Sequence, residues 1–391
     1  MQILVLNFGG SSFKFLLEEE GKALAQGQVD RLGTPKAILK ADFIKEALGE
    51  CSPKEALALV LDRLAAGGLL KQGALAAVAH KVAHGGAFFR EAVVVDDKVK
   101  EAIRACIPLA PIHNPPALAG IELCQELFGD IKQVVAFETG FHQSLPEYAY
   151  TYGIPYEWQE EYAARKYGFH GTSHRYVSQE VATRLGKEGL RIISCHLGSG
   201  TSVAAIRGRE SVDISSGLTP QAGTIMSTRP GDFDPWLFPY LGERLGSSPQ
   251  ELSEELIKKG GLLGISAVSG DMRDLEEADA AGNRRAKLAI DVFCYQVQKY
   301  IGAFAAALGG VDVLVFTGGI GEHGPLQREQ ICRGLEFLGI ALDPQKNDTV
   351  EEGAIGAGPC QVLVIKCQEE IMVARQAREL LQKARETNGI S

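Results

Sequence analysis

One structural pattern occurs twice in this sequence, and it constrains the fold more than any other feature. Near the start, the apolar residues 3–6 and 13–17 flank a turn that is rich in glycine and serine. The same order returns about 190 residues later, where residues 192–197 and 201–206 flank a second glycine and serine turn. Each copy predicts a strand, a tight turn and a second strand. Because this separation far exceeds the period of a solenoid repeat, the pattern indicates a duplicated domain whose copies offer turn amides and hydroxyls to one shared ligand.

Length and composition agree with such a protein and exclude several classes. A chain of 391 residues has room for two or three domains, and its 45 glycines stand in short runs beside apolar segments. The chain has a net charge of −9 and no long block of basic residues that could neutralise the phosphates of a nucleic acid, so we expect no nucleic acid partner. The eight cysteines lack metal-ligand spacing, which predicts reduced thiols. We expect no signal peptide, no membrane partner and a cytoplasmic location, because no apolar run has the length of about 18 residues that a span requires.

Two helices and a third strand complete the predicted organisation. Ser52-Pro53-Lys54-Glu55 is a capping box that predicts a helix from residue 53 to about Gly67. A long amphipathic helix is predicted over 284–308, stopped by two glycines and followed by a buried strand over 311–317. That strand is predicted to end in a glycine loop over 318–321. Helices that alternate with strands indicate α/β layers, in which ligands bind at the carboxyl ends of strands.

Charged residues and histidines lie in the same kinds of loop. Lys81, Glu138, Arg229 and Glu369 each follow or interrupt an apolar segment. Phosphoryl transfer requires cations that clamp phosphoryl oxygens and carboxylates that hold Mg²⁺, so this set indicates a kinase without a Walker loop. His170 and His174 have the spacing of zinc ligands on a helix, but the intervening Gly-Thr-Ser favours a turn or a helix start over a zinc site.

A series of ordered motifs, running from about residue 3 to the final helix, resembles the acetate kinase family. The motifs are Asn7-x-Gly9-x-Ser11-Ser12-x-Lys14, His80-x-Val82-x-His84-Gly85-Gly86, Ala110-Pro111-Ile112-His113-Asn114-Pro115, Tyr167-Gly168-Phe169-His170-Gly171-Thr172-Ser173-His174, His196-Leu197-Gly198-x-Gly200, Gly217-Leu218-Thr219-Pro220, Thr228-Arg229-x-Gly231-Asp232-x-Asp234-Pro235 and Phe316-Thr317-Gly318-Gly319-Ile320-Gly321-Glu322. So many motifs in one order make a chance match untenable.

The resemblance implies a fold, a domain division and an assembly. It implies an α/β protein with two duplicated actin-like, ribonuclease H-like domains and ATP in the interdomain cleft. The N-terminal domain would comprise residues 1–145 completed by 371–391, and the domain with the nucleotide site would comprise 146–370. The family is usually homodimeric, so a homodimer is expected.

The resemblance also implies roles for individual residues. The expected catalytic residues are Asn7, Lys81, Glu138, His170 and Arg229. Asn7 and Glu369 are the expected ligands of Mg²⁺ or Mn²⁺. The acyl group would contact Ala83, Ile112, Phe169 and Pro220. The expected nucleotide and phosphate contacts are Ser12, Lys14, His196, Gly198, Gly200, Asp232, Gly318, Gly319, Ile320, Gly321 and Glu322.

Several motif positions depart from the family pattern. Lys81 stands where the family has Arg, and Glu138 stands where it has Asp. The other departures are Gly10 for Ser, Ser199 for Asn, Ala222 for Glu, His323 for Asn, and Cys367-Gln368 for a Thr-Asn or Thr-Asp pair. Lys lacks the bidentate fork of Arg, so the first change is not conservative at a carboxylate or phosphoryl clamp.

The implied activity is reversible, Mg²⁺-dependent phosphoryl transfer from ATP to acetate or a closely related carboxylate, which yields an acyl phosphate and ADP. A carboxylate is already ionised near pH 7, so the reaction needs no general base. Three alternatives stay open at this point: a propionate- or butyrate-preferring relative, a relative with another phosphoryl donor, and a catalytically weak paralogue that binds nucleotide or acyl phosphate.

Overall fold

The structure is a computed structural model that describes residues 1–388. The chain divides into two compact units, each with its own sheet and core. The first unit comprises Met1–Gln143 and the segment that begins at Gln368, and the second comprises Ser144–Cys367.

The first unit is built on a mixed sheet with helices packed against it. The sheet has the strand order β5-β4-β3-β2-β1-β6-β8-β7. Its strands are β1 (Gln2–Phe8), β2 (Phe13–Glu19), β3 (Lys22–Asp30), β4 (Ile38–Ala41), β5 (Ile44–Ala47), β6 (Leu75–Val82), β7 (Val93–Val94) and β8 (Lys132–Phe137). The helices are α1 (Pro53–Ala66), α2 (Asp97–Ala105), α3 (Asn114–Phe128) and a C-terminal helix (Glu369–Asn388).

The register of this sheet brings the ends of three strands to one edge. β1 and β2 form the predicted antiparallel hairpin, whose turn is closed by a hydrogen bond from the Gly9 amide to the Ser12 carbonyl. On its other side β1 runs parallel to β6, and β6 runs parallel to β8. Asn7, Lys81 and Glu138 therefore lie at or just beyond the carboxyl ends of neighbouring strands, where α/β proteins place ligands.

Local sequence signals explain the start of α1. The Ser52 hydroxyl accepts a hydrogen bond from the Glu55 amide, and the Glu55 carboxylate accepts one from the Ser52 amide. Pro53 stands at the start of the helix, where its missing amide hydrogen costs nothing. The predicted capping box is confirmed.

The second unit repeats this plan around another mixed sheet, with the order β11-β10-β9-β12-β14-β13. Its strands are β9 (Arg191–Leu197), β10 (Thr201–Arg207), β11 (Glu210–Ile214), β12 (Val313–Thr317), β13 (Gly353–Ala354) and β14 (Gln361–Val364). Its helices are α4 (Glu147–Tyr150), α5 (Tyr156–Tyr162), α6 (Gly171–Leu185), α7 (Leu237–Leu245), α8 (Pro249–Lys259), α9 (Gly261–Ser266), α10 (Met272–Ala280), α11 (Arg284–Leu308), α12 (Gly318–His323), α13 (Pro325–Cys332) and α14 (Pro344–Thr349). Along the whole described chain, short 3-10 helices lie at Ile107–Leu109, Gly140–Ser144 and Glu336–Leu338.

The two sheets share one connectivity, which confirms the predicted duplication. β9 and β10 form an antiparallel hairpin, and β9 runs parallel to β12, which in turn runs parallel to β14. β1 has the same relation to β2, β6 and β8. The predicted helix α11 is also confirmed, and it buries Phe293, Val297 and Ile301 in the core of this unit.

The prediction of a glycine loop after β12 is wrong, because a short helix begins there. Only Gly318 makes a turn, with φ of +77°, and helix α12 begins at this residue. A side chain at Gly318 would place Cβ 2.8 Å from the Leu197 carbonyl oxygen, so close approach between β12 and β9 requires glycine. The Glu322 carboxylate, one turn further along the helix, accepts the Gly318 amide hydrogen and so satisfies one of the amides that a helix start leaves without a partner.

Candidate active site

A buried cluster of charges lies at the strand ends of the first unit. Lys81, at the end of β6, places its Nζ atom 2.8 Å from Glu138 Oε1 and 3.0 Å from Glu369 Oε2. Glu138 follows β8, and Glu369 opens the C-terminal helix. The side chains of Lys81, Glu138 and Glu369 are 14%, 10% and 14% exposed, so water screens these ion pairs weakly. The structure thus brings together three of the residues predicted for the site.

The lysine of this cluster stays charged. Burial alone would lower the pKa of Lys81, but the nearby carboxylates of Glu138, Glu369 and Glu370 outweigh it and hold the pKa well above its usual value. One ammonium facing three carboxylates leaves an excess of negative charge, which a divalent cation would neutralise. Carboxylate and amide oxygens are the ligands that Mg²⁺ prefers, so Glu369 and Asn7 at the end of β1 fit the predicted metal.

The other predicted residues of the first unit occupy less enclosed positions. Ser12 is half-buried in the hairpin turn, and Lys14 is exposed on β2 opposite Asn7. Ala83 is half-buried one residue beyond β6. Ile112, predicted to contact the acyl group, is 61% exposed in the turn before α3.

Histidines and serines form a hydrogen-bonded cluster in the second unit. His170 adopts a left-handed conformation with φ of +56° and caps the start of α6, which confirms the predicted helix start. Its Nδ1 lies 2.8 Å from the Ser202 hydroxyl on β10. The His170 ring stacks on His196, with centroids 4.3 Å apart and an angle of 23° between the planes. His196 Nδ1 in turn lies 2.9 Å from the Ser173 hydroxyl.

The glycine turn of this unit brings His170 and Arg229 together. A Cβ atom at Gly200 would lie 2.9 Å from His170 Nε2 and 3.8 Å from Arg229 Nη1. Arg229 also donates a hydrogen bond from Nη1 to the Pro220 carbonyl over 3.3 Å. Four predicted residues, namely His170, Gly200, Pro220 and Arg229, are thus neighbours, and a larger residue at position 200 would obstruct the imidazole. Phe169 is buried beside them in the chain, and its amide donates to Ser216 Oγ.

A pocket of about 490 Å³ opens beside this cluster, also within the second unit. Gly198, Gly319 and Ile320 were predicted to bind nucleotide, and all three line it. The remaining lining residues are Ser199, Ser227, Gly270, Asp271, Met272, Arg273, Glu276, His323, Gly324 and Gln327. The sequence analysis missed the segment 270–273. Its one signal is a glycine directly before a helix-capping aspartate, and a Cβ atom at Gly270 would lie 2.8 Å from the Ser227 carbonyl oxygen.

Two residues expected to contact the nucleotide, Glu322 and Asp232, have carboxylates that are hydrogen-bonded within the protein. Glu322 Oε1 accepts hydrogen bonds from the amides of Gly318 and Cys367, each over 2.9 Å. The Asp232 carboxylate accepts hydrogen bonds from the Gly223 amide and the Tyr300 hydroxyl. Neither residue lines the pocket. Gly318, Gly321, Gly200 and His196 also lie outside the pocket lining and flank it through the adjoining strands and turns.

The cysteines lie apart from this chemistry, with the exception of Cys367. All eight are free thiols within the described chain, as predicted. Burial raises the pKa of Cys106 and Cys360 to about 11 and that of Cys124 and Cys294 to about 12, so these thiols stay protonated near neutral pH. Cys367 Sγ lies 3.6 Å from Ser173 Oγ. Within residues 1–388, no helix combines the length and apolar character needed to cross a membrane.

Comparisons with known proteins agree with the sequence motifs. The model of the acetokinase family matches residues 2–375. The acetate kinase of Caldicellulosiruptor saccharolyticus is 46% identical over 98% of this chain and 100% of its own length. The acetate kinase of Desulfitobacterium hafniense strain Y51 is also 46% identical, again over 98% of this chain and 100% of its own.

Solved structures confirm the predicted fold class. The acetate kinase of Porphyromonas gingivalis superposes with a TM-score of 0.90 at 41% identity, over 97% of this chain and 99% of its own. A propionate kinase from Francisella tularensis superposes with a TM-score of 0.90 at 39% identity, over 96% of this chain and 98% of its own. With its duplicated α/β units and these matches along nearly its whole length, the chain belongs to the acetokinase family.

Proposed function

We propose that this protein is an acetate kinase, which transfers a phosphoryl group reversibly between ATP and acetate. The observation that carries the proposal lies in the second unit. There, a pocket of about 490 Å³ ends on Gly198 and Ser199, and the same glycine turn places Gly200 against His170 and Arg229. A pocket of this size suits a nucleotide, and a cationic and imidazole pair at its end suits the phosphoryl group that is transferred.

The first unit supplies the group proposed to bind acetate. Lys81 has three N–H donors, and the carboxylates of Glu138 and Glu369 take two of them. The third donor is proposed to bind a carboxylate oxygen of acetate. Because Glu138 and Glu369 keep Lys81 protonated, this cation is present throughout the working pH range.

The second unit supplies groups that would stabilise the phosphoryl group in the transition state. Arg229 is proposed to neutralise charge on the equatorial oxygens, and His170 is proposed to donate a hydrogen bond from Nε2 to one of them. The missing side chain at Gly200 lets a phosphoryl oxygen approach both groups. Acetate needs no general base because it is ionised, so positioning and charge neutralisation supply most of the catalysis.

A divalent cation fits the carboxylate-rich end of the first unit. When bound, Mg²⁺ would be held by Asn7 and Glu369 and would neutralise phosphate charge. Glu138 is proposed to position Lys81. A homodimer and a cytoplasmic location remain predictions for this chain.

A hydroxylamine-trap assay tests the activity and its specificity together. Acetate, propionate and butyrate are each combined with ATP, GTP or pyrophosphate in the presence of Mg²⁺, and the acyl hydroxamate is measured. We expect the highest kcat/KM for acetate with ATP. Hydroxamate formed only with another acid or another donor would replace the proposed substrates, and nucleotide binding without hydroxamate would support the weak paralogue.

A further inference from the structure

A chain of hydrogen bonds within the second unit leads from the core to His170. Ser194 on β9 places its hydroxyl 2.9 Å from His174 Nδ1. The other ring nitrogen of His174, Nε2, lies 2.8 Å from the Ser202 hydroxyl. That same hydroxyl lies 2.8 Å from His170 Nδ1. Ser194, His174 and Ser202 are completely buried, so water does not compete for these contacts.

Proton counting links the Ser202 contact to the tautomer of His170 when both rings are neutral. A neutral imidazole carries one N–H, so one nitrogen of His174 donates and the other accepts. Ser202 has one hydroxyl proton and two lone pairs, so it either donates to His170 Nδ1 and accepts from His174 Nε2, or accepts a hydrogen bond from His170 Nδ1. The direction of the chain therefore determines whether Nδ1 or Nε2 of His170 carries the proton.

The surroundings of His170 Nε2 select the direction. Nε2 faces the space at Gly200 that Arg229 also borders, where the phosphoryl group is proposed to lie. A phosphoryl oxygen only accepts hydrogen bonds, so a bare Nε2 would repel it. A doubly protonated His170 is opposed by the adjacent Arg229 charge. The arrangement that remains is a neutral ring with the proton on Nε2.

We propose that Ser202 is a positioning residue that sets the tautomer of His170. In this relay Ser194 donates to His174 Nδ1, His174 Nε2 donates to Ser202, and Ser202 donates to His170 Nδ1. The outer nitrogen of His170 then presents its N–H to the phosphoryl group. The inference rests on the proposed function for the phosphoryl acceptor at Nε2, which selects the direction of the relay, whereas the contacts of the relay are made by side chains of this chain.

The tautomer can be measured independently of activity. Long-range proton–nitrogen spectra of protein labelled with ¹⁵N-histidine distinguish the two tautomers and the cation, and the His170→Gln variant identifies the His170 signals. With AMP-PNP and Mg²⁺ bound, we expect His170 to carry its proton on Nε2. In Ser202→Ala we expect this tautomer to be lost or mixed with the other one.

Kinetics provide the second readout. We expect Ser202→Ala to lower kcat at least about tenfold while the KM values for ATP and acetate change less than about threefold, the pattern of a lost positioning contact. Ser202→Cys retains a weak donor and should recover part of kcat. Ser178→Ala is the matched control, because Ser178 is a buried serine of the same helix α6 whose hydroxyl donates to the Arg175 carbonyl, outside the relay.

A proton on Nδ1 or on both nitrogens of wild-type His170 would overturn the proposal. So would a Ser202→Ala protein that keeps the wild-type tautomer. If Ser202→Ala does not fold, the tautomer of His170 in the wild-type spectrum and in the Ser202→Cys variant still tests the proposal. Failure of the proposed function is distinguishable, since it appears as absent hydroxamate in the wild-type protein whatever the tautomer.

Discussion

Exchanging Lys81 and Glu138 for the pair that the family pattern has, Arg and Asp, tests whether the two residues compensate each other. Glu138→Asp withdraws the carboxylate by about 1.5 Å, the length of one carbon–carbon bond. The contact of 2.8 Å would then open to roughly 4 Å, beyond hydrogen-bond range. Loss of a charge-assisted hydrogen bond costs about 1.5–3 kcal/mol, which corresponds to a fall of roughly 10- to 100-fold in kcat/KM if the contact orients Lys81.

Lys81→Arg alone crowds the contact that Glu138→Asp opens. The longer guanidinium must enter a space that leaves Lys81 only 14% exposed, and overpacking of this kind costs about 1–3 kcal/mol. In the double variant the longer cation meets the shorter carboxylate, so the two defects offset each other. We expect a coupling energy of about 1–3 kcal/mol and a double variant more active than Glu138→Asp.

The assay is kcat/KM for acetate, from hydroxamate formation, in the wild-type protein, both single variants and the double variant. The exposed pair of Lys71 and Glu19 is the matched control, with a contact of 2.8 Å and side chains that are 59% and 24% exposed. Lys71→Arg with Glu19→Asp should show coupling below about 0.5 kcal/mol. If the effects at Lys81 and Glu138 add to within about 0.5 kcal/mol, the compensation argument is refuted.

Further predictions concern the phosphoryl clamp, the metal, a buried histidine and the acyl pocket. Arg229→Ala should lower kcat/KM at least about 100-fold, whereas Arg209→Ala, at an exposed ion pair, should not, and a near-wild-type Arg229→Ala would remove Arg229 from the clamp. Glu369→Gln should raise the Mg²⁺ concentration for half-maximal activity more than the KM for acetate, and equal shifts would exclude Glu369 as a ligand. Burial lowers the pKa of His80 to about 4, so below its ordinary pKa near 6.5 the unfolded chain binds the extra proton and stability falls. In urea titrations, the free energy of unfolding of His80→Gln should therefore fall by about 2 kcal/mol less than that of the wild-type protein between pH 7 and 5. The same pH dependence of the free energy of unfolding in both proteins would contradict this. Ala83 is an expected acyl contact, so the larger side chain of Ala83→Val should lower kcat/KM for propionate relative to acetate by about 10-fold or more, and an unchanged ratio would show that Ala83 does not set the acyl chain length.

Periodicity and capping rules predicted the strands and helices whose formation depends on residues close together in the sequence. The two hairpins, the Ser52 cap and helix α11 are set by alternation, by a side chain three residues away and by glycines at a helix end. Such signals lie within one turn or one strand. They are therefore readable without the tertiary structure.

The site depended on contacts between distant segments, which these rules do not reach. Lys81 and Glu369 are separated by 288 positions, and only the sheet register with the C-terminal helix brings them together. The resemblance to the family supplied Glu369 as a candidate but not its ion pair. For Asp232 and Glu322 the motifs predict ligand contacts, whereas the hydrogen bonds that their carboxylates accept from backbone amides emerge only from the structure.

Direct transfer of the γ-phosphoryl group to acetate is the central claim, and ³¹P NMR tests it most directly. ATP, Mg²⁺ and acetate labelled with ¹⁸O at both carboxyl oxygens are incubated with the wild-type protein. Attack by the carboxylate on phosphorus predicts acetyl phosphate whose phosphorus carries one ¹⁸O atom, formed in equal amount to ADP. ADP accompanied by inorganic phosphate without labelled acetyl phosphate, or no conversion of ATP, would contradict the account.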